Sequence, residues 1–484
     1  MAKSLKRSSE PDKADKILVW IACAVFLTLS VLFYKERIAF ADTAAYVSHI
    51  IARNTFEVSM HSRFVGALTQ VFLYLGIQLG LPLKALMILY SVNFALIPIA
   101  CALISVRWFK ETRTAWSILL FYTLMSFYMF YYPVSEYQVG LGLFLFYIGL
   151  YHHYQAGGVK PFVFVLLSLL LIPCVIFCHP LAAPVFISWI VFQLCCEPAQ
   201  KRALALVTLG GIASYLVKRQ FFSIEYEEKK SDVVDNFLKF SFDELVQNLG
   251  RSSLKIILQD YFLLIILSVA TIVVLIWQHK KLAAILFPLI LIGWWVLVTV
   301  SFMNESYDHY YEHMYQALPL FIALGFCTFV LPVLSAAPRI ILLTAIMAIS
   351  FTKIVNGQGW LAERFAWMNR CFKMMDTLHC KKAIFTQEHI PGGRYCMASW
   401  AIPYESLLIS SLDDPKQSKI ILMKGNLEDA LKVDREVLDV DPDSNPNYPV
   451  LGEKYFRITG EQYCIPQTTI DIPTIEYLKT GKKN

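Results

Sequence analysis

Residues 64–80, FVGALTQVFLYLGIQLG, decide the fold. The stretch is apolar enough to enter a bilayer, yet it is short and carries Gln70, Gln78, Gly66, Gly76 and Gly80. A crossing helix needs roughly 20 mostly apolar residues. If this segment crosses, every later loop changes side; if it lies at the membrane surface, none does. Eleven other stretches read as spans: 17–34, 84–106, 113–131, 137–155, 161–178, 181–197, 202–217, 258–277, 282–302, 317–334 and 339–355. Charge chooses between the two layouts, because Lys and Arg collect in short cytoplasmic loops. With 64–80 at the surface, one side receives Lys3, Lys6, Arg7, Lys13, Lys16, Arg107, Lys110, Arg113, Lys160, Lys201, Arg202, Lys280, Lys281 and Arg339. The short loops 132–136, 179–180 and 303–316 on the other side then hold neither Lys nor Arg. The expectation is an α-helical polytopic membrane protein of about eleven transmembrane helices, with its N-terminus in the cytoplasm.

Composition agrees with that class. Of 484 residues, 57% are hydrophobic and only 17% charged, against about half and a quarter in soluble domains. The 34 Phe and 25 Tyr suit bilayer cores and interfaces. A net charge of +6 without a basic, aromatic-interleaved stripe argues against nucleic acid as a partner. The apolar runs stop near residue 355. We therefore read a transmembrane domain over 1–355, with surface helices in a first outer loop (35–83), and a soluble C-terminal α+β domain over 356–484. PGG (391–393) and DSNPN (442–446) supply turn signals there. The polar, basic start MAKSLKRSSEPDKADK runs into a retained first helix rather than a cleaved signal peptide. The compact loops suggest a bacterial inner membrane, with the C-terminal domain in the periplasm. Seven of the eleven cysteines lie in or beside apolar stretches; Cys371, Cys380, Cys396 and Cys464 lie in the C-terminal domain. Four thiols there permit one or two disulfides, or none.

The unusual polar residues collect on the outer side. In the first outer loop Asp42, Tyr46, His49 and Arg53 fall at i, i+4, i+7 and i+11, one face of a helix. Ala44, Val47 and Ile51 make an apolar face beside it, so the segment reads as an amphipathic interfacial helix. His61 and Arg63 follow. Glu136 begins a span, His179 stands between two apolar runs, and loop 303–316 packs Glu305, Asp308, His309, Glu312 and His313 together. Carboxylates at the hydrocarbon boundary are costly unless they face a cavity or a partner, so these groups suggest a shared outward cavity. His309 and His313, one helical turn apart with Glu305 a turn back, could also hold a divalent metal such as Mg, Mn or Zn. HExxH is absent, as are Walker A, GxGxxG and CxxC patterns. The run RYCMASWAIPYESLLISSL (394–412) has no nucleophile elbow and reads as fold-forming.

FADTAAY (40–46), just past the first span, and HSRF (61–64), closing the same loop, resemble the first outer loop of the GT-C superfamily of polytopic membrane glycosyltransferases. That family uses lipid-phosphate-linked sugars, and its motif carries an early acid and often a terminal His-Arg pair. Here Ser62 separates His61 from Arg63. The resemblance implies inverting sugar transfer from a polyprenyl-phosphate donor to a glycan, lipid or protein acceptor outside the membrane. Asp42 would be the base. Arg63, with His61 and Arg53, would hold the donor phosphate. Glu136 would position acceptor or metal, and His179, Tyr46, His49, Glu305, Asp308, His309 and His313 would line the cavity. Alternatives are a lipid-linked saccharide polymerase or ligase, for which 218–257 would be the large loop, and a secondary transporter or flippase, which would want broken helices at mid-membrane. A non-catalytic assembly subunit is a further one.

Overall fold

The computed structural model describes residues 13–58, 63–133, 136–196, 201–222, 254–301, 312–386, 398–431, 454–458 and 463–466. Its contacts divide the described chain into two compact units. The first takes its residues from Met1–Tyr34, Phe56–Phe72 and Tyr90–Gly357; the second from Lys35–Thr55, Leu73–Leu89 and Gln358–Asn484. Residues 35–55 and 73–89 therefore group with the C-terminal residues, where the sequence suggested a single boundary at 355.

The helices of the first unit are α1 (Lys13–Leu32), α6 (Thr112–Leu124), α7 (Glu136–Gln155), α8 (Pro161–Cys178), α9 (Ala182–Cys196), α10 (Lys201–Phe221), α11 (Leu254–Asp260), α12 (Phe262–Trp277), α13 (Lys281–Ser301), α14 (Ala317–Gly325) and α15 (Ala336–Asn356). Helices α4 (Gly66–Gln78) and α5 (Leu83–Arg107) begin in one unit and end in the other. Each of the eleven expected spans overlaps a helix, and 64–80 holds the short α4. Among the described residues, five helical stretches are long and apolar enough to cross a membrane: Lys13–Leu32, Leu83–Arg107, Pro161–Cys178, Lys281–Thr299 and Ala336–Thr377. Ala182–Cys196, Phe262–Trp277 and Ala317–Val333 are shorter apolar helices. A helical membrane protein is the architecture these elements support.

Apolar side chains such as Phe162, Leu169, Ile266, Val273 and Leu289 are exposed on these helices, as expected where lipid is the solvent. Inside, α7 packs on α6 and α8, and α14 on α6 and α12. Close approach explains two glycines. A Cβ at Gly149 would meet Thr114 Cγ2 at 2.4 Å, and one at Gly142 would meet the Tyr122 hydroxyl at 2.6 Å. Arg339 and the buried Asp15 form an ion pair of 2.7 Å between α15 and α1.

One expected span is shorter than its sequence. The apolar run 113–131 suggests a continuous helix, but α6 ends at Leu124. Glu312, fully buried, accepts hydrogen bonds from the backbone N–H groups of Phe127 (2.8 Å), Tyr128 (2.9 Å) and Met129 (2.5 Å) and from the Tyr261 hydroxyl. A carboxylate that collects three adjacent amides replaces the helical ladder there. Burial pushes the Glu312 carboxyl above its ordinary range, while the Tyr261 hydroxyl and these amides pull it back.

The second unit contains α2 (Tyr34–Ile38, from Lys35 onward), α3 (Ala41–Arg53), α16 (Gly359–Thr377), α17 (Ile402–Ser410), α18 (Leu427–Leu431) and strands β1 (Lys382–Thr386) and β2 (Ile420–Lys424). The strands pair in parallel from Lys382 opposite Ile420 to Thr386 opposite Lys424. A parallel pair needs a crossover, and α17 lies on that connection, packed on both β2 and α3. Cys464 extends the pairing: its carbonyl accepts from Ile384 N–H and its N–H donates to Lys382, both at 2.9 Å. Cys380 and Cys464 form a disulfide across 84 residues. Cys371 is a buried free thiol, and Cys396 lies outside the described residues.

Candidate functional site

The residues singled out in the sequence fall into both units. Asp42, Tyr46, His49 and Arg53 belong to the second; Arg63, Glu136, His179 and His313 to the first. His61, Glu305, Asp308 and His309 lie outside the described residues.

In the second unit α3 forms as its periodicity suggests. It ends at Asn54, whose left-handed backbone (φ 51°) returns its N–H to Ile50 O at 2.9 Å. The polar face of this expected interfacial helix is largely packed away. Tyr46 and His49 are buried, as are Ala41 and Thr43–Ile51, because α17 packs on the helix. His49 Nε2 lies 3.1 Å from the Tyr404 hydroxyl, with the two rings edge to face at 5.3 Å. Asp42 is half-buried and Arg53 exposed.

The entry to α3 is unusual. Ala41 has φ 46°, in the left-handed region, where a side chain other than Gly or Asn is rare. Its N–H donates to Glu405 Oε1 at 2.9 Å. Glu405 is itself fully buried and held by Arg364, through Nε to Oε2 at 2.7 Å and Nη2 to Oε1 at 3.1 Å. Burial raises the Glu405 carboxyl above its usual range, and the Arg364 guanidinium and the Ala41 amide draw it down again. Phe40 packs edge to face on Trp360 at 5.0 Å, and the Arg364 guanidinium carbon lies 5.5 Å from the Phe40 ring centre. Phe40 and Ala41 are thus fixed from three directions, and Asp42 follows in the first turn of α3.

The first unit holds a second cluster. Arg63 Nη1 lies 3.5 Å from Glu136 Oε2, and both side chains are about nine-tenths buried. Glu136 opens α7, where the helix dipole favours an anion. Gly66 keeps room for it: a Cβ there would stand 3.2 Å from Glu136 Cγ. The next residue, Tyr137, faces His179 at 4.8 Å and His313 at 5.6 Å between ring centres, and those two imidazoles are 5.6 Å apart. His179 Nδ1 accepts the Leu181 N–H at 3.1 Å, so a neutral His179 carries its proton on Nε2. Arg63 and Glu136 thus form a pair at the start of α7, and Tyr137, His179 and His313 form a ring cluster that begins one residue later. Of the proposed metal set only His313 is described, and no group of three His, Cys, Asp or Glu side chains placed to hold a metal occurs among the described residues.

Sequence reading missed Glu405, Arg364 and Tyr404. Glu405 and Tyr404 sit in the run 394–412 that read as fold-forming, and their partners are 41 to 364 residues away. A lone acid inside an apolar helical run, Ile402–Ser410, was the available signal. Neither a family model, nor a curated protein, nor a solved structure matches the chain.

Proposed function

We propose that the chain is a membrane glycosyltransferase of the GT-C kind, moving a sugar from a polyprenyl-phosphate-linked donor to an acceptor outside the membrane. The observation that carries this reading is the strained Ala41, pinned by the buried Glu405–Arg364 pair one residue before Asp42. Such strain costs about 1–3 kcal/mol and persists where surrounding groups over-determine it, typically at functional sites. In this reading it fixes the backbone one residue before Asp42.

In the reaction Asp42 takes the proton of the acceptor hydroxyl as its oxygen bonds to the anomeric carbon. The bond from that carbon to the phosphate oxygen breaks, and polyprenyl phosphate leaves with the electron pair. One displacement inverts the anomeric centre. The resemblance assigns the donor phosphate to Arg63, whose guanidinium Glu136 holds at 3.5 Å. The Cys380–Cys464 disulfide supports a C-terminal region on the oxidising, periplasmic side of a bacterial inner membrane.

The test is sugar release from a polyprenyl-phosphate donor by the purified chain in detergent. Asp42→Asn keeps the side chain's shape and removes the base, so turnover should fall roughly 10²–10⁴-fold with donor binding near normal. Arg63→Ala should weaken donor binding instead. Full turnover in Asp42→Asn would overturn the assignment of the base.

A further inference from the structure

The two edges of β1 are held unequally. On one side it pairs with β2 over its whole length, from Lys382 opposite Ile420 to Thr386 opposite Lys424. On the other, among the described residues, it meets Cys464 alone, through a bridge at Ala383 and two hydrogen bonds of 2.9 Å. Such bonds contribute about 0.5–1.5 kcal/mol each, and ordering the backbone of each residue costs about 1–2 kcal/mol. Pairing of that extent does not hold a segment in place. The Cys380–Cys464 disulfide does, by joining the segment to the residue two before β1.

The segment covers a charge. The Tyr463 ring is buried, and Lys382 Nζ lies 5.0 Å from its centre. Lys382 is 2% exposed, a depth of burial that lysine rarely reaches. Tyr463 and Cys464 thus form a lid over this lysine and over the N–H of Ile384, which donates to the Cys464 carbonyl. The bond that fastens the lid is within reach of solvent. Cys380 and Cys464 are each half-buried, whereas Cys371 is enclosed. Lys381 and Lys382 follow Cys380, while Tyr463 and Ile465 flank Cys464. Cationic neighbours favour a thiolate, so Cys380 is the better leaving group and attack falls on Cys464.

We propose that the Cys380–Cys464 disulfide is a redox latch that controls access to Lys382 and to the free edge of β1. A dithiol reductant attacks Cys464 Sγ as its thiolate, the S–S bond breaks, and Cys380 leaves as a thiolate. The second thiol of the reductant then attacks the mixed disulfide and releases Cys464. Two electrons pass from the dithiol, which ends as its own cyclic disulfide, and its two protons end on the two cysteines. Residues 463–466 part from β1, Lys382 and the Ile384 N–H meet solvent, and the β1–β2 pair stays. The latch uses no residue of the glycosyltransferase reading and stands or falls without it.

The probe is dithiothreitol, added to the purified full chain in detergent. Alkylation counts the thiols released, acetylation by a succinimidyl ester reports Lys382, and hydrogen exchange reports the amides of Ile384 and Ile420. Reduction should raise Lys382 labelling and Ile384 exchange about tenfold or more, as a local opening does. The Ile420 amide, which donates to Lys381 O at 2.9 Å, should keep its protection. Cys464→Ser should show the open state without reductant and respond no further to it; should that variant fail to fold, the reduced parent decides. Unchanged Lys382 labelling once both thiols are free overturns the proposal. Loss of protection at Ile420 together with Ile384 also overturns it, and makes the disulfide a staple of the whole unit. So does a disulfide that resists dithiothreitol until the protein unfolds.

Discussion

The backbone amide of Ala41 donates to the carboxylate of Glu405, 364 residues further along the chain, at 2.9 Å. The bond ties the conformation of one residue at the start of α3 to a buried ion pair. Removing Glu405 as Ala strands the Arg364 charge and frees the amide. The loss of one partner from a buried pair costs about 3–5 kcal/mol, which denaturant unfolding of the protein in detergent would read.

Stability and aim can be separated at the same place. Replacing both charges, Glu405→Leu with Arg364→Met, leaves no buried charge stranded, and such replacements are often neutral or stabilising. The double variant should unfold near the parent's midpoint, yet it no longer accepts from Ala41. Its sugar-release turnover should stay low. Turnover equal to the parent's would show that Ala41 needs no such anchor.

Arg63 and Glu136 should behave as a coupled pair. In a double-mutant cycle of Arg63→Gln and Glu136→Gln, the two losses of stability should fall short of adding by about 0.5–3 kcal/mol. Additive losses would mean that the 3.5 Å approach contributes nothing.

Glu312→Ala leaves the amides of Phe127, Tyr128 and Met129 without their acceptor. Each stranded buried group costs about 1–3 kcal/mol, so the midpoint should fall steeply. Glu312→Gln, which keeps one acceptor oxygen, should retain part of the loss. Hydrogen exchange at 127–129 is the direct readout, rising in Glu312→Ala.

The Cys380–Cys464 disulfide closes a long loop. Chain-entropy arguments give about 4–5 kcal/mol for loops near this length. Unfolding with and without reductant should differ by that order. A Cys380→Ser variant should match the reduced parent.

Much of the helical content was legible because apolar runs in a membrane chain are long and announce themselves locally. The end of α6 was not, because the carboxylate that stops it arrives from Glu312, 183 to 185 residues away. Arg63, Glu136, His179 and His313 were legible one by one, as polar groups in or beside the outer loops. The pairing itself was not, since nothing local links residue 63 to 136. For α3 the periodicity was sound, but a buried polar face and a solvated one have the same spacing. Only the packing of α17, which brings Tyr404 to His49, separates them.

The order of synthesis follows from the way the second unit is strung along the chain. Its α3 emerges from the ribosome 364 residues before Glu405 exists. At about 5–20 residues per second, that interval is roughly 20–70 s. Throughout it, the face that will meet α17 has no cover, and Ala41 has no anchor. The strained turn is therefore among the last features the nascent protein acquires. A chain stopped before Ile402 would carry every helix of the first unit and still lack it.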